Sequence, residues 1–166
     1  LYEEIMLIGE EMGLRPGHTS TIRRIEGGML SYHADMDINT NPFELGLDRL
    51  IELDKEFDFI GKEALIKIHN NGVERRQVGL TIEDEPLNGP NTRFWNVMDD
   101  NKVIGRVTSA VYSPRLKENI ALGMVSIENS EIDNSFEINM SYSNNKAKVV
   151  LKPFYDPKKN ITSKSL

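Results

Sequence analysis

Hydrophobic residues at the start of the chain recur at the spacing of an α-helix. In LYEEIMLIGEEMG, Ile5, Ile8 and Met12 fall on one helical face, with glutamates around them. This pattern predicts an amphipathic helix that is already under way at Leu1, because no capping residue or entry turn precedes it. We therefore expect the chain to be a processed or truncated part of a longer protein.

A second, shorter helix is predicted in TSTIRRIEGG. Thr19 or Ser20 has a side chain that can cap the first turn, and the glycine pair Gly27-Gly28 is typical of a helix end. The Gly/Pro-rich GLRPGH before it predicts a connection between the two helices.

A strand and a third helix complete the first part of the chain. LGLDRLIEL alternates well enough to predict a strand. FIGKEALIKIHNNG predicts an amphipathic helix that ends at Gly72. The residues expected to face inward on this helix are Ala64, Leu65 and Ile68.

From Arg75 onward the pattern changes to short strand-like runs separated by turns. Asp100-Asn101 and Asn144-Asn145 lie between apolar runs, as the turns of β-hairpins do. The predicted strands are RRQVGLTI, FWNVM, KVIGRVTSAV, IALGMVSI, FEINMSY and AKVVLK. Short strands without intervening helices predict a small antiparallel barrel or sandwich.

The change of pattern near residues 70–74 predicts two domains in an α+β chain. We assign residues 1–72 to the first domain, residues 73–157 to the β-domain and residues 158–166 to a flexible tail. The only tryptophan, Trp95, is expected to pack in the core or at the domain interface.

Composition excludes several classes of function. The chain has a net charge of −6, which argues against a nucleic-acid partner, and no apolar run is long enough for a membrane span. It has no cysteine, which excludes thiolate metal sites and cysteine nucleophiles. The lack of cysteine is also compatible with the cytoplasm, which is the location we expect. The three histidines lack metal-ligand spacing, and neither a G-x-S-x-G motif nor a phosphate-binding glycine loop occurs.

Acidic and amide side chains alternate at the start of ADMDINTNPFELGLD, like those of a calcium-binding loop. Counting from Asp35, the sixth position is Thr40 instead of glycine, and the twelfth is Gly46 instead of glutamate. Pro42 also stiffens the second half. The sequence therefore predicts no metal site here, but a loop of Asx and proline turns before a strand.

The richest polar set lies around the second helix. Ile22 and Ile25 mark its apolar side, so one of Arg23 and Arg24 is expected to face inward, where it needs a carboxylate or an anion. An internal Arg–Glu pair tying the helix to the following loop is the structural alternative to a ligand site. Arg24 and Glu26 are two residues apart and point to different sides.

Tyr32 follows in the loop. Its ring either stacks on a flat heterocycle or fills the core.

Several motifs, taken in order, resemble the aminomethyltransferase family, which includes the T-protein of the glycine cleavage system. They extend from about residue 13 to residue 155, which is nearly the whole chain. The matching stretches are RRIEGGMLSYHADMDINTNPFELGLDRLI, FIGKEAL, VTSAVYSPRLKENIALGMV and VVLKPFY. One such motif is weak evidence, but their number and order identify the chain as a member of the family.

The resemblance implies the end of a folate-binding domain followed by a small β-domain, and tetrahydrofolate as the acceptor of a one-carbon unit. It also implies that the catalytic Asp lies upstream, so this chain carries no catalytic residue and is inactive alone. The expected cofactor-binding or cavity-wall residues are Arg24, Glu26 and Tyr32. The expected partners are the missing N-terminal half and a one-carbon donor: a small amine, a sulfonium compound or a lipoyl carrier protein.

Some positions depart from the family pattern. Ser20 stands where the T-protein has an arginine, YHAD replaces Y-G-x-D, and Ala110 replaces the glycine of T-S-G. The resemblance therefore leaves two branches open, the aminomethyltransferases and the dimethylsulfoniopropionate demethylases. The departures also motivate a different class of function, a non-catalytic folate-binding or interaction module on the same fold.

Overall fold

The computed structural model describes residues 1–16, 20–140, 142–158 and 160. Three α-helices precede the β-domain: α1 (Tyr2–Gly9), α2 (Thr21–Glu26) and α3 (Lys62–Asn71). Single 3₁₀ turns cover Glu10–Met12 and Asp48–Leu50 before the β-domain, and Ile127–Asn129 within it. None of the described helices is long and apolar enough to cross a membrane.

The β-domain is a closed antiparallel barrel of six strands, one of the two arrangements that the short strands predict. Around the barrel the strand order is β1-β4-β3-β2-β5-β6, and β6 pairs with β1 to close it. The strands are β1 (Arg75–Ile82), β2 (Trp95–Asp99), β3 (Lys102–Ser113), β4 (Glu118–Ser126), β5 (Ser135–Asn139) and β6 (Asn144–Val150). The expected fold class, α+β with a small antiparallel barrel, is confirmed.

The barrel interior is filled by the inward side chains of all six strands. Trp95 is 7% exposed within this core, so it is a core residue as expected. Gly105 marks the closest approach of two strands, because a Cβ there would lie 2.2 Å from the carbonyl oxygen of Met124. Only glycine allows β3 and β4 to pack this tightly.

A second, smaller core joins the helical part to the outside of the barrel. Ile25 of α2 packs, fully buried, against apolar side chains of β3 and β4. Those partners are Val111, Ile120 and Leu122. This contact positions α2 on the barrel wall, where the polar residues predicted from the sequence converge.

Three local predictions are wrong. LGLDRLIEL forms a 3₁₀ turn instead of a strand, because Gly46 has φ +69° and no strand in the described part of the chain pairs with the segment. Ala64 of α3 is exposed, while Leu65 and Ile68 are half-buried. Asn144-Asn145 begin β6, opposite Asn139, so the β5–β6 turn lies before them. The turn at Asp100 is confirmed, with φ +50°.

Helix α1 is formed as predicted, but its expected apolar face is open. Ile5, Ile8 and Met12 are 50%, 71% and 79% exposed. The described part of the chain therefore supplies no core for this face. The proposed domain limits at residues 72 and 157 stay predictions.

Candidate functional site

A buried carboxylate, that of Asp35, lies at the centre of the polar site. Asp35 is 3% exposed, and its side chain accepts hydrogen bonds from three separate parts of the chain. The backbone N–H of Ser31 donates to Oδ2 at 2.9 Å, which closes the loop on itself. Thr108 and Ser109 of β3 each donate a hydroxyl to Oδ1 at 2.6 Å. Such dense donation is what a buried carboxylate requires.

Arg24 completes this cluster from α2. Its Nη1 donates to Asp35 Oδ2 at 2.9 Å, and its Nη2 donates to Ser109 Oγ at 2.8 Å. A weaker bond at 3.3 Å reaches the carbonyl of Met29 just after the helix. The expectation that an arginine here faces inward towards a carboxylate is confirmed, with Asp35 as the partner instead of a glutamate. We call Arg24, Asp35, Thr108 and Ser109 the Asp35 cluster.

Glu26 belongs to a separate contact on the same helix. Its Oε1 accepts a 2.6 Å hydrogen bond from the hydroxyl of Ser113, at the end of β3. The guanidinium of Arg115 lies 3.9 Å from Oε2 and 4.1 Å above the ring of Tyr155. Glu26 is 4% exposed, so this carboxylate anchors α2 to the barrel.

Tyr32 lies in the loop, and its ring is 54% exposed. It meets the ring of His33 edge-on, with 4.5 Å between centroids. His33 has φ +70°, the left-handed conformation that non-glycine residues rarely adopt, at the position where the family pattern has glycine. The structure thus separates the three predicted site residues: Arg24 and Glu26 are engaged in packing, and Tyr32 is accessible. Their role in binding stays a prediction.

The acidic loop uses its side chains to fold itself, as the interpretation of turn chemistry predicts. Asp37 accepts from the backbone N–H of Asn39 at 2.8 Å, and this bond lowers the pKa of its carboxyl below the usual value. Asn41 and Glu44 bond reciprocally, each side chain to the other's N–H at 3.0 Å. Among the described residues, no group of three or more His, Cys, Asp or Glu side chains is placed to hold a metal ion.

Glu44 also links the loop to the barrel. It accepts a 2.8 Å bond from Nε of Arg75, and this hydrogen bond raises the pKa of the guanidinium. The backbone carbonyl of Glu44 accepts from the N–H of Gln77 at 2.7 Å. Loop and barrel are therefore held together here as well as at Asp35.

Two departures from the family pattern have a local structural use. Ser20 caps α2, since its Oγ accepts a hydrogen bond from the N–H of Arg23 at 3.3 Å. Thr19, the other predicted cap, lies outside the described residues, as does His18. Ala110 is fully buried in β3, and its N–H donates to Oδ1 of Asn91 at 2.6 Å.

Sequence reasoning considered Asp35 in the polar set and Ser109 only as a nucleophile. The signal that they belong together is their occurrence in successive motifs, D-M-D and T-S. Folding was needed to show their contact.

These contacts define the class of molecule: a helix–loop unit whose buried carboxylates attach it to a six-stranded antiparallel barrel. Two family models match the chain. The glycine cleavage T-protein C-terminal barrel domain covers residues 75–156, and the GCVT N-terminal domain covers residues 1–55.

Individual relatives agree with these models. An aminomethyltransferase from Koribacter versatilis is 41% identical over 96% of this chain and 42% of its own length. The mitochondrial dimethylglycine dehydrogenase of Mus musculus is 33% identical over 92% of this chain and 18% of its own length.

A crystal structure of the glycine cleavage system aminomethyltransferase T from Bartonella henselae shares the fold. Its TM-score is 0.72 at 22% identity, over 81% of this chain and 37% of that one. The chain belongs to the aminomethyltransferase family, as its motifs predict. It spans less than half the length of the aminomethyltransferases it matches.

Proposed function

We propose that this chain is the C-terminal part of a tetrahydrofolate-dependent one-carbon transferase, moving an aminomethyl or methyl group, and is inactive alone. The observation that carries the proposal is the Asp35 cluster. It brings together residues of three motifs shared with the family, R-x-E, D-M-D and T-S, in one buried contact between α2, the loop and β3. The cluster holds the Tyr32 loop at a defined place on the barrel.

The loop that carries Tyr32 offers residues that fit a pterin ligand. The exposed face of the Tyr32 ring offers a stacking surface for a flat heterocycle. Three N–H groups of Arg24 donate to Asp35, Ser109 and Met29, so the proposed role of Arg24 is to fix the wall. Glu26 acts in the same way, since it holds α2 against Ser113.

Tetrahydrofolate, when bound, supplies the nitrogen that accepts the one-carbon unit. The contribution of this chain is positioning: a rigid wall keeps ligand and donor aligned, which lowers the entropic cost of their reaction. It also excludes water from one side of the cavity. The catalytic Asp expected of the family belongs to the region preceding this chain.

The proposed donor and partners rest on the family of this chain and on the share of its relatives that it spans. A small amine, a sulfonium compound or a lipoyl carrier protein brings the carbon unit, and the N-terminal half of the same protein completes the cavity. A cytoplasmic location goes with this proposal.

A second function is favoured by the departures at Ser20, His33 and Ala110. Such a protein, a folate-binding or interaction module, would bind folate or a partner without turnover. It keeps the fold and the loop of the family but lacks the cationic side chain that the family has at position 20. Ser20 uses its hydroxyl to cap α2.

The test is a calorimetric titration of tetrahydrofolate into this chain and into a chain extended upstream of Leu1. We expect binding only, or far more tightly, in the extended chain. Absence of binding in both chains contradicts the folate proposal. If the extended chain binds, its consumption of donor in step with folate distinguishes a transferase from a binding module.

A further inference from the structure

A pocket of about 340 Å³ lies where α2 ends against the segment that follows β6. It is distinct from the Asp35 cluster and from Tyr32. Gly28 packs closely here: a Cβ on it would lie 3.5 Å from Cβ of Lys152. The other wall is the turn around Leu45 and Leu47.

The charged side chains of this pocket are both cationic. Lys152 and Arg49 line it, and none of the described lining residues is acidic. This contrasts with the chain as a whole, whose net charge is −6. The pocket is therefore a local positive site on an acidic protein.

Lys152 is half-buried. Its Nζ donates to Oε1 of Gln77 and lies 3.5 Å from the carbonyl oxygen of Leu45. Burial lowers the pKa of this ammonium to about 8; the charge of Asp35 opposes the shift and that of Arg76 adds to it.

Asp35 acts on Lys152 through its charge, while its oxygens accept hydrogen bonds from Arg24 and from donors of the loop and β3. Gln77 is 2% exposed, and its Nε2 has no hydrogen-bond partner among the described residues. The Nε2 of Gln77 therefore lies in the same buried environment as the ammonium that its Oε1 accepts from.

Glycines and apolar side chains complete the lining of this small pocket. Leucine and proline side chains line it beside the two cations: Leu30, Leu45, Leu47, Pro153 and Pro157. A volume near the lower end of ligand pockets suits a small organic molecule.

We propose that this pocket binds a small organic carboxylate with an apolar body, its carboxylate facing Lys152 and Arg49. This goes beyond the one-carbon proposal and does not depend on it. Charge-assisted hydrogen bonds from an ammonium and a guanidinium suit a carboxylate. The leucines and prolines contact the apolar part of the ligand.

The test uses isovalerate as the probe and its neutral amide, 3-methylbutanamide, as the matched comparison. Binding to the 166-residue chain is followed by calorimetry and by NMR shifts. We expect saturable isovalerate binding, at least about tenfold weaker for the amide. Lys152→Met is expected to weaken isovalerate binding by about tenfold, whereas Lys158→Met, at an exposed site, leaves it unchanged.

Arg49→Gln provides a second variant should Lys152→Met fail to fold, since Arg49 is exposed. It is expected to weaken binding severalfold. Equal binding of acid and amide, no saturation by about 10 mM, or preference for inorganic phosphate overturns the proposal. Because tetrahydrofolate is absent from this experiment, its failure leaves the one-carbon proposal intact.

Discussion

Ser109 and Asp35 are 74 positions apart in the chain, yet the serine hydroxyl donates a 2.6 Å hydrogen bond to the aspartate carboxylate. The same hydroxyl accepts from Arg24 at 2.8 Å. One side chain of the barrel thus contacts both members of a buried ion pair that belongs to the helix–loop unit. The attachment of the two parts depends on this arrangement.

Removing the carboxylate is expected to be costly. Asp35→Ala leaves Arg24 without its carboxylate and the Ser109 hydroxyl without an acceptor, whereas the Thr108 hydroxyl keeps the carbonyl of Leu122. We expect a loss of about 3 kcal/mol in the free energy of unfolding. Urea denaturation measures it. Asp54→Asn, at an exposed position, is the control and should change stability by less than about 0.5 kcal/mol. A comparably small loss for Asp35→Ala would show that the cluster contributes little.

The contact between Glu26 and Ser113 predicts a smaller effect. Ser113→Ala removes the 2.6 Å donor to a carboxylate that is 4% exposed, so a loss of about 2 kcal/mol is expected. Ser135→Ala, on an exposed strand position, serves as the matched control. If both serine variants unfold at the same urea concentration as the original chain, the Glu26 contact is not an anchor.

His33 predicts a stabilising substitution. Because its φ is +70°, His33→Gly relieves backbone strain and should raise stability by about 0.5 to 1 kcal/mol. The contact with the Tyr32 ring is lost, but both side chains are exposed. Ala34→Gly, where φ is not positive, should lower stability instead. Thermal unfolding compares the two, and a loss in both would contradict the strain argument.

Lys152 predicts a dependence of stability on pH. Its pKa falls from 10.5 in the unfolded chain to about 8 in the folded one, so between these values the unfolded state binds more protons. This group therefore makes stability rise as pH increases from about 8 towards 10.5. Lys152→Met removes that slope, while Lys158→Met keeps it. Urea unfolding at several pH values tests this, and parallel curves for all three proteins would refute it.

Removing the Tyr32 ring is expected to weaken ligand binding without changing folding. In a chain that binds tetrahydrofolate, Tyr32→Ala should weaken affinity by about tenfold, the loss of one stacking contact. Stability should change little, because the ring is 54% exposed. Tyr142→Ala, 68% exposed on the barrel, is the control. Equal affinities for the two variants would remove Tyr32 from the site.

The local elements were largely determined by the sequence. Short apolar runs separated by turns predicted all six strands, because their side chains pack in the barrel core or against α2. Ser20 and Gly27 likewise mark the start and the end of α2, through hydrogen bonds to residues close to them in the sequence. The LGLDRLIEL prediction failed because a strand also needs a partner, and pairing is not a local property.

Only the tertiary structure decided the site. The closing of β6 on β1, the contact of Asp35 with Ser109 and the position of Lys152 beside Gln77 all join distant parts of the chain. A motif indicates that such polar residues matter, but it does not identify their partners. A buried polar group needs a hydrogen-bond donor or acceptor, and the fold determines which one lies near it. The sequence alone determined the strands and helices and the family they indicate; packing determined which charges meet.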